Sequence, residues 1–108
     1  DFILKSVSSR IASFIRNVDC LARYGGEEFC CLLPETKIHF AVKVADRFRK
    51  VIMDQEHNFD GNLIKITISL GVSELREETQ SSDEMLKKAD DALYRAKNGG
   101  RNRVEAMI

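Results

Sequence analysis

Apolar residues recur at helical spacing in three stretches of the chain and at strand spacing between them. Ile3, Val7, Ile11, Phe14 and Ile15 share one face of a helix predicted over residues 2–16, with Asp1 placed to cap it. Two strand-like runs, 20–24 and 27–33, follow with only Gly25-Gly26 between them. That spacing predicts a β-hairpin whose turn uses positive φ, which glycine reaches without a Cβ clash. Pro34-Glu35-Thr36 ends the second strand, and Thr36 is placed to cap a helix over 37–54. Its inward face is Ala41, Val44, Ala45, Phe48, Val51 and Ile52. After a polar loop over 56–62, Ile64, Ile66, Ile68 and Leu70 alternate with polar residues, as in a half-buried strand. A charged loop over 73–80 precedes Ser81-Ser82-Asp83-Glu84, whose capping-box spacing opens a helix carrying Met85, Ala89, Ala92, Leu93 and Ala96 inward. Asn98-Gly99-Gly100 stops that helix, and 102–107 returns as a short strand. The order is α-ββ-α-β-α-β, which predicts an α+β fold: an antiparallel-rich β-sheet with flanking helices.

A chain of 108 residues holds one domain. Seventeen basic residues balance seventeen acidic ones, which gives no support to polyanion binding driven by bulk charge; no nucleic-acid partner is expected, and any anionic ligand must be held locally. No apolar run reaches membrane-spanning length and no signal peptide opens the chain, so no membrane contact by this domain is expected. Cys20, Cys30 and Cys31 are odd in number and lack CxxC spacing; they read as reduced core residues of a cytoplasmic protein. His39 and His57 stand alone and are expected at the surface, whereas Phe2, Phe14, Phe40 and Phe48 fit core positions. The chain opens on Asp1, without an initiator methionine, and is expected to be a piece of a larger protein.

Candidate chemistry concentrates in three places. At the predicted hairpin, Gly25 and Gly26 present bare backbone beside Glu27 and Glu28. Neighbours on a strand leave opposite faces, so one glutamate is expected to face a ligand and hold Mg²⁺, unless the backbone beside the turn is irregular. The same residues equally describe a solvated hairpin. Lys97 and Arg101 flank a helix end and its glycines, where two cations can converge on one polyphosphate or simply complement the helix C-terminus. Arg16 and Asp19 can clamp a phosphate and a guanine edge, or form a surface ion pair of little energetic value.

The run Arg23-Tyr24-Gly25-Gly26-Glu27-Glu28-Phe29 resembles the signature of the GGDEF family, the diguanylate cyclases. Ile66-Thr67-Ile68-Ser69-Leu70-Gly71-Val72 is similar to the family's strand after its second helix. Residues 88–97, followed by Gly100-Arg101-Asn102, resemble its closing helix and turn. The resemblance spans nearly the whole chain and implies a fold like the palm of nucleotidyl cyclases. It also implies an activity: two GTP molecules, one on each domain of a head-to-head homodimer, condense to cyclic di-GMP and pyrophosphate. By this resemblance Gly25 and Gly26 leave room for the nucleotide, and Glu27 and Glu28 are catalytic and bind Mg²⁺ or Mn²⁺. Lys97 and Arg101 hold phosphate. Arg16 and Asp19 form an RxxD five residues ahead of the glycine pair, similar to the family's product-inhibition site, with Arg47 as a secondary contact. Asp1 falls where the family's HxxGD segment ends, at an aspartate that contacts guanine.

The family's opening strand, which carries a metal-binding aspartate, and the helix after it have no counterpart in residues 1–108. The chain is therefore expected to be a single domain lacking that strand and helix, inactive as it stands, within an active parent cyclase. Sensory or regulatory domains would lie elsewhere in the parent, a bacterial protein with this domain in the cytoplasm whether or not the parent is membrane-anchored. The alternative is a catalytically degenerate GGDEF domain that acts as a GTP or cyclic di-GMP binding module; a purely structural dimerisation domain is a further rival.

Overall fold

A computed structural model describes residues 2–75 and 81–107, and in it the first amphipathic face forms α1 (Phe2–Ala12). The helix stops short of residue 16. The Ser13 hydroxyl donates to the Arg10 carbonyl at 2.6 Å, beside a bifurcated Ser13 amide, so the last turn closes on itself. Phe14 and Ile15 still pack on the core, which is built from Val7 and Ile11 of α1 and from Phe48 and Ile52 of α2 (Ile38–Asp54). Asp1 lies outside the described residues, as does the part of the charged loop from 76 to 80.

The hairpin pairs β1 (Cys20–Arg23) with β2 (Phe29–Leu32), from Cys20 opposite Leu32 to Arg23 opposite Phe29. Leu21 and Cys31 face the core, whereas Cys20 is exposed, contrary to its expected core placement. Thr36 does not cap α2. Its hydroxyl bonds Pro34 and Arg16, Lys37 takes the cap position without a side-chain bond, and the Ile38 amide donates instead to the Glu74 carboxylate at 2.6 Å. A carboxylate from 36 positions away in sequence thus meets the positive end of the helix.

The strand expected over 64–70 divides. β3 (His57–Phe59), within the expected polar loop, forms a hairpin with β4 (Asn62–Ile64), which takes up the first residue of the expected strand; Asp60 and Gly61 join them at φ 51° and 81°. Positive φ at both central residues is the turn that matches strand twist, and Asp-Gly is the pair that adopts it most readily. β5 (Leu70–Ser73) begins where the expected strand ended, while Ile66 and Ile68 pack on the core without joining a strand. From β5 the chain crosses through α3 (Ser82–Asn98) to β6 (Val104–Met107), which pairs parallel to β5. The Ser81 side chain accepts from the Glu84 amide, as the capping-box spacing predicted. A Cβ on Gly71 would lie 2.1 Å from the Ala89 carbonyl, so only glycine lets β5 reach α3, whose Ala92 and Ala96 are fully buried there.

The described strands thus make two antiparallel pairs and one parallel pair, with helices packed on them. His39 is exposed as expected, but His57 is buried. Ser6 of α1 bonds its Nδ1 at 2.7 Å, and the Ile52 carbonyl lies 3.4 Å from Nε2. Phe2 and Phe40 are exposed rather than in the core; Phe2 stacks on Phe59 and Phe40 on His39.

Candidate active site

The loop between β1 and β2 runs from Tyr24 to Glu28, five residues rather than two. The Glu28 carbonyl accepts from the Tyr24 amide at 2.8 Å and from the Gly25 amide at 3.3 Å, which closes the loop. Neither Gly25 nor Gly26 takes positive φ. A Cβ on Gly26 would meet no atom within 4 Å, so nothing inside the chain requires glycine there. Glu27 and Glu28 lie outside the strand, and the alternation that would separate their side chains does not apply. Glu27 is exposed and Glu28 half-buried. Among the described residues no cation pairs with either carboxylate.

Arg23 supplies what the spacing did not reveal. From the end of β1 its Nε donates to the Gly25 carbonyl at 3.3 Å and its Nη2 to the Gly26 carbonyl at 2.6 Å. The guanidinium is held on the turn's own backbone while both carboxylates are left unneutralised. No cluster of three metal-binding side chains occurs among the described residues. Two adjacent hard carboxylates fit Mg²⁺ nonetheless, because that ion is commonly held by one or two carboxylates and completed by phosphate oxygens and water.

Lys97 and Arg101 bracket the turn after α3. The Gly99 amide donates to the Arg95 carbonyl and the Arg101 amide to the Ala96 carbonyl, with Gly100 at φ 122° and Arg101 at φ 64°. Both cations are exposed, and no acid pairs with either among the described residues. Asn102 ties this turn to α2, accepting from Arg49 at 3.2 Å, and Arg49 is itself paired with Asp46.

Arg16 and Asp19 come together. The Arg16 guanidinium donates to Asp19 at 2.8 Å, to the Pro34 carbonyl at 3.1 Å and to the Thr36 hydroxyl at 3.1 Å. The Arg16 amide also donates to the Asp19 carboxylate. The bond from Arg16 holds the Asp19 carboxyl below the usual carboxylate range. The Asp19 side chain is 4% exposed and that of Arg16 57%. Arg47 lies over the Phe14 ring at 5.7 Å, with Arg10 at 5.2 Å from the same ring. Arg16, Asp19, Phe14 and Arg47 line one open cavity of about 340 Å³ with Phe40 at its wall, which is why Phe14 and Phe40 are not simple core residues.

These features have counterparts in known proteins. The family described as "Diguanylate cyclase, GGDEF domain" matches residues 1–103. Diguanylate cyclase A of Treponema denticola is 43% identical over 104 residues, which covers 96% of this chain and 28% of that protein; the chain thus spans little more than a quarter of that relative's length. The coiled coil and GGDEF domain of DgcB from Caulobacter crescentus, solved in complex with c-di-GMP, superposes with a TM-score of 0.88 at 29% identity, over 96% of this chain and 56% of that one. The active GGEEF domain of a diguanylate cyclase from Vibrio cholerae superposes at 0.85 and 27% identity, over 98% of this chain and 67% of that one, and its name carries the same Gly-Gly-Glu-Glu-Phe motif. With its signature on an open hairpin tip and its closing helix and turn in place, the chain belongs to the GGDEF domain family.

Proposed function

We propose that residues 1–108 are a domain of a diguanylate cyclase, which condenses two GTP molecules to cyclic di-GMP with release of one pyrophosphate from each. One observation carries this reading: the space beside Gly26 is open and the two carboxylates that follow it have no cation partner among the described residues. Glu27 and Glu28 would hold Mg²⁺ or Mn²⁺ at the nucleotide phosphates. When bound, the ion screens phosphate charge and assists departure of pyrophosphate. Gly25 and Gly26 leave the approach to the phosphates uncrowded, Lys97 and Arg101 neutralise the polyphosphate, and Asp1 contacts guanine. Each domain presents one GTP, so the attacking 3′-hydroxyl comes from the nucleotide on a second copy, and the active species is a homodimer.

Arg16, Asp19 and Arg47 form the product-inhibition site in this reading. The guanidinium of Arg16 meets a phosphate, the Asp19 carboxylate accepts from guanine N–H groups, and Arg47 adds a second cation beside the Phe14 ring. The c-di-GMP complex of the Caulobacter relative supports a product site in this family. No described helix is long and apolar enough to cross a membrane, and we place the domain in the bacterial cytoplasm under regulatory domains of the same protein. The test is incubation of the full-length protein with GTP and Mg²⁺, followed by chromatographic detection of cyclic di-GMP. A folded protein that binds GTP without forming product is instead a degenerate receptor.

A further inference from the structure

We infer that Arg23 is a positioning residue for the two metal-binding glutamates: its guanidinium straps the Gly25–Gly26 turn and fixes the peptide plane from which Glu27 projects. The inference rests on the cyclase reading above. A peptide group is planar, so the Gly26 carbonyl and the Glu27 amide belong to one rigid unit. Arg23 Nη2 donates to that carbonyl at 2.6 Å, while Nε donates to the preceding carbonyl, of Gly25, at 3.3 Å. One planar fork thus sets two consecutive peptide planes.

Little else in the turn could do so. Neither glycine has a side chain to pack, and both keep ordinary φ, where glycine moves more freely than any other residue. The space beside Gly26 is empty to 4 Å. The backbone bonds that close the loop, from the Tyr24 and Gly25 amides to the Glu28 carbonyl, bracket the Gly26–Glu27 plane without engaging it, and among the described residues Arg23 is its hydrogen-bond partner. The direction of that bond matters as well. A guanidinium bonded to carbonyls does not neutralise the neighbouring carboxylates, which stay available to a metal ion.

The test uses Arg23→Gln and Arg23→Lys in the full-length protein. In metal-free and nucleotide-free protein, amide hydrogen exchange over residues 22–29 is expected to rise about tenfold in Arg23→Gln, the scale of one lost charge-assisted bond. The Mg²⁺ concentration giving half-maximal cyclic di-GMP formation rises by a similar factor, about tenfold, and excess Mg²⁺ recovers much of the turnover. Arg23→Lys, which keeps the charge but offers no fork, falls between. If Arg23→Gln does not fold, the same comparison is made with Arg23→Lys. Unchanged exchange overturns the inference. So does faster exchange with an unaltered Mg²⁺ requirement, which would make Arg23 a structural strap only. Wild-type protein that forms no cyclic di-GMP fails the cyclase reading instead; Mn²⁺ binding followed by calorimetry then decides Arg23, with equal affinity in wild type and variant overturning it.

Discussion

The hairpin tip and the Arg16–Asp19 cavity treat charge in opposite ways. At the tip, Glu27 and Glu28 stand without cations among the described residues and the nearby Arg23 is bound to backbone carbonyls. In the cavity, Arg16 is already satisfied by Asp19, Pro34 and Thr36. Carboxylates without a cation partner are free to accept a divalent ion, which is what the proposed function asks of the tip. A self-paired arginine must exchange partners to accept a phosphate, which would moderate affinity at the proposed product site. The two regions are joined by the four residues of β1, which run from Asp19 to the tip, and again by β2 and the Leu33-Pro34 step on the return.

The contrast breaks most visibly at Glu27. Glu27→Gln keeps shape and removes charge, so turnover should fall by several kcal/mol in barrier, about a hundredfold or more, with the melting temperature nearly unchanged. Steady-state assays beside thermal unfolding measure both; turnover within a factor of two of wild type would remove Glu27 from the metal site. Arg16→Ala should do the reverse, raising the inhibition constant for cyclic di-GMP about tenfold or more while uninhibited turnover persists. Product-inhibition curves read this directly, and unchanged inhibition would exclude Arg16.

A smaller effect sharpens the cavity side. Because Asp19 titrates below its ordinary value, its pairing contributes stability that is present above the unfolded carboxylate pKa and is lost as pH falls through the folded one. The pair should survive acidification to about pH 4, the reference carboxylate range, and open below it. NMR titration of the Asp19 carboxyl tests this, and a midpoint above the reference range contradicts it. Gly26→Ala should be the mildest change to the fold, within about 0.5 kcal/mol by denaturant unfolding, since neither φ nor crowding demands glycine. Turnover should still fall, because the methyl would meet the nucleotide. Equal loss of stability and turnover would mean that the turn itself needs glycine.

Contiguous features were legible in the sequence. The signature lies within seven consecutive residues, and helix faces at 3.6-residue spacing placed Ala41, Ala45, Phe48 and Ile52 inward as found. What escaped depended on partners distant in sequence or on backbone acceptors that leave no trace in it. Glu74 reaches the amide of Ile38, His57 is buried by Ser6 and Ile52, and Arg23 binds glycine carbonyls. The Gly25-Gly26 pair suggested positive φ, yet the chain uses that geometry at Asp60-Gly61, a turn signal that lies just ahead of the alternation over 64–70. Neither φ nor crowding within the described residues then calls for glycine at the signature, and the proposed nucleotide would supply the reason.

The most direct measurement follows GTP consumption by the full-length protein with Mg²⁺, quantifying cyclic di-GMP and pyrophosphate together in wild type and Glu27→Gln. The account predicts two pyrophosphates for each cyclic di-GMP in wild type and almost no product in the variant. A folded, GTP-binding wild-type protein that releases neither product would contradict it.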